Sequence, residues 1–439
     1  LVPDDGPPRG GRARRPGRSV GVRPGTAHRC EHGAMSTQQN ASTPPDFRTM
    51  GAGLAEHLGA LRRDLHRIPE LGFDLPRTKA RLLEEFAGMP VEIHEFDGWS
   101  AFVVVVRGGR PGPMVLVRGD MDALPVAEES GEAFAATNGA MHACGHDMHM
   151  AALVGAVKMI AEQRAGLAGS VMFMFQPAEE TARGARRMLD EGLLEVAGER
   201  PVVAWGVHEM PYPAGTVHVR VGAQMASNCQ LIATFKGRGG HGSAPHTAID
   251  PVPAVLDLGQ QLQTLVTREF SVFDPVVCTV TQLGAGKMYN VIHDQASLGA
   301  TIRAVSKGTT DRFGSRAVEI AELIGRIHRC ETDARFRVNC PTTLNDPRAA
   351  RVALDTARGL LGADRVVEME QPVMASEDFS YVLEEVPGAF LFMGALPDGV
   401  DPDGAPQLHS PLARYNTGVL GDQAALLAAL AWTGELPRA

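Results

Sequence analysis

Met114-Val115-Leu116-Val117-Arg118-Gly119-Asp120-Met121-Asp122 places an apolar, β-prone run directly before two acids. A run of four apolar residues with Pro113 before it and Gly119 close behind has the pattern of a buried strand, and Phe102–Val106 has it too. Downstream, Met148–Ala161 has helical character, Val171–Phe175 and Val202–Val207 repeat the strand signal, and a helix over Ala182–Glu191 separates them. Upstream, Leu54, Leu58, Leu61, Leu65 and Ile68 recur at helical spacing until Pro69, and a second helical segment covers Thr78–Phe86. Strand alternating with helix predicts an α/β domain whose central sheet is covered by helices on both faces.

Past about Val221 the pattern changes to strand (Gln230–Phe235), helix (Val252–Thr267), two strands (Val276–Leu283, Ala296–Val305), helix (Thr310–His328) and strand (Ala334–Asn339). This βαββαβ succession is large enough to fold alone. After Pro341 the first pattern returns, with helices at Pro347–Leu361 and Gln423–Trp432 and a strand at Ala389–Met393. The expected organisation is a tail over residues 1–48, an α/β domain over 49–222 and 341–439, and an inserted α+β domain over 223–340.

The 439 residues are 44% hydrophobic and 21% charged, enough apolar material for a sizeable core. Forty-two Lys and Arg against 51 Asp and Glu give a net charge of −9, which speaks against nucleic acid and anionic membranes as partners. No apolar run approaches the ~18–20 residues that cross a bilayer. Six cysteines without framework spacing suit reduced thiols and a cytoplasmic protein. Leu1–Gly33, rich in Arg, Gly and Pro, has no periodicity and is expected to be disordered, and Leu1–Ala34 has the character of an over-extended start before Met35.

Asp120 and Asp122 lie at the carboxyl end of a strand, where open α/β sheets place their sites, although two such acids can also be solvated turn residues. His142-Ala143-Cys144-Gly145-His146-Asp147-Met148-His149 is dense in ligand atoms, and Gly145 lets the chain turn so that Cys144 and His146 can converge on one ion. A buried cysteine beside helix-capping histidines is the plainer alternative, and a Cys144 nucleophile with His146 as its base is a rival chemistry. Glu179 and Glu180 are adjacent, and burying both is costly unless a cation or proton compensates. If Glu180 binds a metal, Glu179 stands beside the metal-bound water as a general base. His208, in Val207-His208-Glu209, and His409, in Leu408-His409-Ser410-Pro411, are further candidate ligands.

Seven spaced blocks carry a resemblance: Leu65-His66-Arg67-Ile68-Pro69-Glu70-Leu71, Gly119-Asp120-Met121-Asp122-Ala123-Leu124-Pro125, His142–Asp147, Gln176-Pro177-Ala178-Glu179-Glu180, Gly239-Gly240-His241-Gly242-Ser243-Ala244-Pro245-His246, Ser376-Glu377-Asp378-Phe379 and His409-Ser410-Pro411. Their order and spacing over about Leu61 to Trp432 resemble the metal-dependent M20 peptidase family, in particular its amidohydrolase branch of hippurate, N-acyl-amino-acid and auxin-conjugate hydrolases. The resemblance implies a metallopeptidase-type catalytic domain with a central mixed sheet, interrupted by a ferredoxin-like lid and dimerisation domain. It implies two divalent metal ions per chain, Zn²⁺ first with Mn²⁺, Co²⁺ or Ni²⁺ as alternatives, held by Cys144, His146, Glu180, His208 and His409, with Cys144 bridging. Glu179 would be the general base, Asp122 would orient a metal-binding histidine, and His241 would stabilise the oxyanion. Asn290 and Arg303 would bind substrate, Arg303 through the α-carboxylate of an N-acyl amino acid. His293 stands where the family usually has Pro, which loosens the backbone that presents Asn290. The chain would act as a homodimer through the inserted domain; a homologue that binds metal or ligand without turnover, or a Cys144 thiol hydrolase, is the alternative.

Overall fold

The computed structural model describes residues 44–434 and 436–437. Cys30 and most of the expected N-terminal tail lie outside these residues. Nine helices and sixteen strands are found among the described residues. In chain order the first part contains α1 (Phe47–His66), α2 (Pro76–Glu84), β1 (Glu92–Glu95), β2 (Phe102–Arg107), β3 (Arg110–Asp120), α3 (His146–Gln163), β4 (Ala168–Gln176), α4 (Gly184–Asp190), β5 (Pro201–Met210), β6 (Val217–Val219) and β7 (Gly222–Met225). The middle contains β8 (Asn228–Lys236), β9 (Gly240–His241), α5 (Val252–Glu269), β10 (Val276–Ala285), β11 (Val291–Ile292), β12 (Gln295–Ala304), α6 (Lys307–Ile327) and β13 (Glu331–Cys340). The last part contains β14 (Thr343–Asn345), α7 (Pro347–Leu361), β15 (Val366–Glu368), α8 (Ser380–Glu385), β16 (Gly388–Gly394) and α9 (Leu420–Trp432).

The main sheet has eight strands in the order β1-β2-β4-β3-β5-β16-β6-β15. Its centre is parallel: β3 pairs with β4 and β5, and β16 with β5. β16 enters from the last part of the chain and sits between β5 and β6, so segments on both sides of residues 228–340 build one sheet. Period-2 alternation divides its side chains between two cores. Val104, Val115, Val117 and Phe173 pack with α1, α3 and α9 on one face, and Val103, Leu116, Met172 and Met174 face the other. β2 and β3 are therefore apolar without alternation, as strands buried on both faces are.

α1 begins at Phe47, ahead of the periodic positions that start at Leu54, because the Asp46 carboxylate accepts a hydrogen bond from the Thr49 amide and caps the helix. Residues 47 and 48, expected in the tail, therefore belong to its first turn. α1 and α9 approach closely where Gly51 meets Gly421; a Cβ on Gly51 would lie 2.2 Å from the Gly421 carbonyl oxygen. The strands absent from the sequence reading, β1, β6, β7, β9, β11, β14 and β15, are two to four residues long, too short to show a period.

A second, antiparallel sheet has the order β10-β12-β8-β13. Leu231, Phe235, Leu298 and Ile302 on one of its faces pack against Leu258 and Leu262 of α5 and Phe313 of α6. No helix among the described residues is long and apolar enough to cross a membrane, and the five described cysteines are unpaired.

Candidate metal centre

The carboxyl ends of β3, β4 and β5 lie side by side, with Asp120 in register with Gln176. From them the chain delivers Asp120 and Asp122, Glu179 and Glu180, and His208 and Glu209 into one region, to which the start of α3 adds Cys144 and His146. Gly145 is essential to that start: it has φ +84°, and a Cβ there would meet the Tyr415 ring at 3.3 Å. Three of the four non-glycine residues with positive φ among the described residues, Ala178, Ala182 and His409, lie in the loops that present Glu179, Glu180 and His409.

Donor atoms of Cys144, His146 and His208 lie within 4.8 Å of one another, and so do those of Cys144, Glu180 and His409. Cys144 is common to both groups. Its Sγ lies 3.4 Å from His208 Nε2, and Glu180 Oε1 lies 3.4 Å from His409 Nε2 and 3.8 Å from His146 Nε2. The two buried histidines are oriented from behind. His146 Nδ1 donates to the Asp122 carbonyl oxygen at 2.8 Å and His208 Nδ1 to the Glu209 carbonyl oxygen at 2.6 Å, which leaves each Nε2 as the free lone pair. His146 Nε2 and Glu180 Oε1 are buried without a hydrogen-bond partner. Buried donors of this kind, thiol, imidazole and carboxylate, fit a divalent transition metal, and a cation would satisfy the atoms now lacking partners.

Asp122 does more than the expected histidine contact. Its carboxylate accepts the backbone amides of Glu179 at 2.9 Å and Glu180 at 3.2 Å, so it also fastens the turn carrying both acids. Burial, reinforced by Glu377, Asp378 and Glu180, pushes the Glu179 carboxyl well above its ordinary range. Burial together with Glu180 and Glu179 pushes the Cys144 thiol up, while burial and the neighbouring His149 push His208 down. Burial lowers the pKa of His146, the base that a Cys144 nucleophile would use, but Asp120 raises it to about 9, so it is Cys144 itself that speaks against a thiol hydrolase: a thiol whose pKa is pushed up is not the thiolate that such an enzyme needs.

A cavity of about 270 Å³ opens on these residues, lined by Cys144, Glu179, Glu180, His208 and His409, with Arg303 of β12 also in its wall. Arg303 is half-buried, and its Nη1 is buried with no hydrogen-bond partner. His241 and Asn290 are not brought into this cavity. Both are exposed and they adjoin each other, His241 paired with Val291 across β9 and β11 and the Gly242 amide donating to the Asn290 carbonyl at 2.9 Å.

The chain belongs to peptidase family M20/M25/M40. It matches that family over residues 116–433. It is similar to the N-acetylcysteine deacetylase of Bacillus subtilis (strain 168), 34% identical over 76% of this chain and 87% of the relative. It is also similar to the IAA-amino acid hydrolase ILR1-like 2 of Arabidopsis thaliana, 35% identical over 84% of this chain and 83% of the relative. Among solved structures, a Bacillus subtilis protein described as a dinuclear metal-binding peptidase of the M20 family superposes with a TM-score of 0.75 at 29% identity, covering 87% of this chain and 98% of that one.

Several residues in this M20-family site have roles that sequence reasoning did not assign. The fully buried Arg118 meets Asp120 at 2.8 Å, Glu377 at 2.7 Å and Asp378 at 3.3 Å, and its Nε donates to Gln176 at 2.8 Å. Three carboxylates outweigh its burial and hold the guanidinium charged. His149 sits between the carboxylates of Asp120 and Glu209; burial lowers its pKa, but the two acids raise it to about 10. His66 donates to Asp147 at 2.9 Å and to Glu128 at 3.0 Å, and Arg62 meets Asp147 at 2.9 Å. This ties α1 to the first turn of α3. The adjacency of His66 to Pro69 and Glu70 and the Glu377-Asp378 pair were visible as motif blocks, but their partners were not.

Proposed function

We propose that this M20-family protein is a dinuclear-metal amidohydrolase that cleaves N-acyl or N-aroyl amino acids, hippurate-like compounds among them, to a carboxylate and a free amino acid. The observation that carries this is the pair of donor groups sharing Cys144, with Glu179 in the wall of the same cavity. Cys144, His146, Glu180, His208 and His409 would hold two divalent ions, Zn²⁺ first with Mn²⁺, Co²⁺ or Ni²⁺ as alternatives. Bound there, such ions supply Lewis acidity to the amide carbonyl and to water. Glu179 takes the proton of the attacking water and returns it to the leaving nitrogen; a buried carboxyl with a raised pKa suits both halves of that transfer. Arg303 binds the α-carboxylate, because its unpartnered, buried Nη1 lacks an anion and the cavity is where one would enter. Asp122 holds the Glu179–Glu180 turn and His146 in place. For His241 in oxyanion stabilisation and Asn290 in substrate binding, the reading requires residues 223–340 to act as a lid over the cavity, the same domain carrying a homodimer contact.

Glu179 is also what separates this reading from a binding protein without turnover, since a metal holder has no use for a general base beside its ligands. The test is elemental analysis of metal per chain, paired with hydrolysis of hippurate and other acyl amino acids before and after chelation. About two ions per chain and chelator-sensitive, metal-restored cleavage is the expected result. A protein that cannot be loaded with metal overturns the ligand assignment, and inactivation by thiol alkylation without chelator sensitivity would favour the Cys144 hydrolase.

A further inference from the structure

Beside the candidate metal cavity lies a larger cleft of about 680 Å³, whose wall includes Arg183, Arg186 and Arg187 from α4 and its approach and Arg337 from β13. The two spaces adjoin, for Glu180, Ala182 and Asn228 line both. The cleft is thus bounded by the main sheet's loops on one side and by the second sheet on the other.

Its charge is concentrated in two residues. Arg186 is paired with Asp190 at 3.0 Å, and Arg187 with Glu191 at 2.8 Å while it stacks on the Trp99 ring at 4.3 Å. Of the two acids in the wall, Asp190 is therefore engaged, and Glu180 belongs to the donor set of the metal centre. Arg183 and Arg337 are left. Both are exposed, and neither side chain has an ion-pair or hydrogen-bond partner among the described residues, whereas the other two arginines of this wall, Arg186 and Arg187, are each paired with an acid. Two guanidinium groups from separate segments that line one cleft without an acid partner leave their donors open to an anion, and the planar guanidinium fork matches a carboxylate.

We propose that the preferred substrates carry a second carboxylate, remote from the one assigned to Arg303, and that the cleft binds it through Arg183 and Arg337. This rests on the amidohydrolase reading and specifies its substrate class. The second carboxylate can belong to either half of an N-acyl amino acid: the side chain of the amino acid, or the far end of a dicarboxylic acyl group.

Two matched pairs distinguish these sources: N-acetyl-L-glutamate against N-acetyl-L-glutamine, and N-succinyl-L-leucine against its monoamide, N-succinamoyl-L-leucine. In the metal-loaded enzyme at low salt, the dianion of at least one pair is expected to exceed its monoanionic partner by about ten-fold in kcat/KM, through a lower KM. The Arg183→Gln/Arg337→Gln double variant should reduce that ratio to near one, with each single variant in between. The pair that shows the effect names the half of the substrate that reaches the cleft. Equal kcat/KM within both pairs, or a preference that survives in the double variant, overturns the proposal. Calorimetric titration with the same four compounds separates the two layers of inference. If none is cleaved yet a dianion binds about ten-fold more tightly than its monoanionic partner, and the double variant abolishes that difference, the amidohydrolase reading fails and the anion site stands. If the dianions bind no better than the monoanions, the anion site itself fails.

Discussion

At the carboxyl ends of the main sheet, most of the charged groups are buried and held by one another; at the two-stranded ribbon of β9 and β11, two residues assigned by resemblance, His241 and Asn290, stand at the surface. Asp120, His146, His149, Arg118 and Asp147 are almost wholly buried, and each has charged or backbone partners. His241 and Asn290 are exposed, and His241 Nδ1 accepts only from its neighbour Ser243, from the amide at 3.1 Å and the hydroxyl at 2.7 Å. The contrast shows two ways of building a site. One is preorganised, with geometry fixed by a network that would be costly to leave incomplete; the other waits on a movement or an assembly to bring its groups to the chemistry.

Changing the general base within the preorganised region should have the largest effect. Glu179→Gln is expected to retain its metal and lose turnover by about 10²–10⁴-fold, the range that a positioned general base contributes. Metal analysis and kcat measured on the same preparation check it, and near-normal turnover in a metal-loaded variant would remove Glu179 from the mechanism.

Next in size is the loss of the buried cation. Arg118→Leu leaves Asp120, Glu377 and Asp378 facing one another without a countercharge, and removing one partner of a buried ion pair costs ~3–5 kcal/mol. Denaturant unfolding should register that loss. A variant within ~1 kcal/mol of the parent would mean that the network relaxes or takes up protons, and that the region is less rigid than the comparison holds.

These two cases also show what is legible in a sequence. The ligand residues can be read because they come in short blocks with chemical meaning, such as Cys144-Gly145-His146, and because the strand ends that gather them follow from alternating strand and helix. The role of Arg118 cannot be read, since Glu377 is 259 residues away and nothing local marks the pair. Arg303 sits in a regular strand, where its residue type alone does not tell a surface cation from one aimed into a cavity. The short strands at the sheet edges lack a period, and the exposure of His241 depends on the placement of a two-stranded ribbon that no pattern along the chain encodes.

A pH titration sharpens the comparison with a smaller effect. Burial lowers the pKa of His66, but Asp147 and Glu128 outweigh it and raise the value to about 9 from an ordinary 6.5. Because the folded value is the higher, the protonated ring stabilises the fold fully below about pH 6.5, and that contribution is lost as pH rises through about 9. It is worth at most on the order of 3 kcal/mol. The stability difference between the parent and His66→Gln, followed by urea unfolding, should therefore shrink between those two pH values; a difference that stays constant would place a neutral histidine between the two acids.

The smallest cost to folding is expected at the exposed end of the comparison. His241→Ala removes a side chain whose contacts are to Ser243 two residues away, and surface substitutions of this kind stay within ~0.5 kcal/mol. That near-neutrality makes the variant informative. A fall in kcat with unchanged unfolding cannot be ascribed to damaged structure, so it would require His241 to reach the reacting carbonyl from a position outside the cavity, by lid closure or assembly. Unchanged kcat together with unchanged stability would end the oxyanion assignment and leave the preorganised region as the whole of the chemistry. A loss of stability well above the expected range would instead show that the ribbon of β9 and β11 is structural and held more tightly than its exposure suggests.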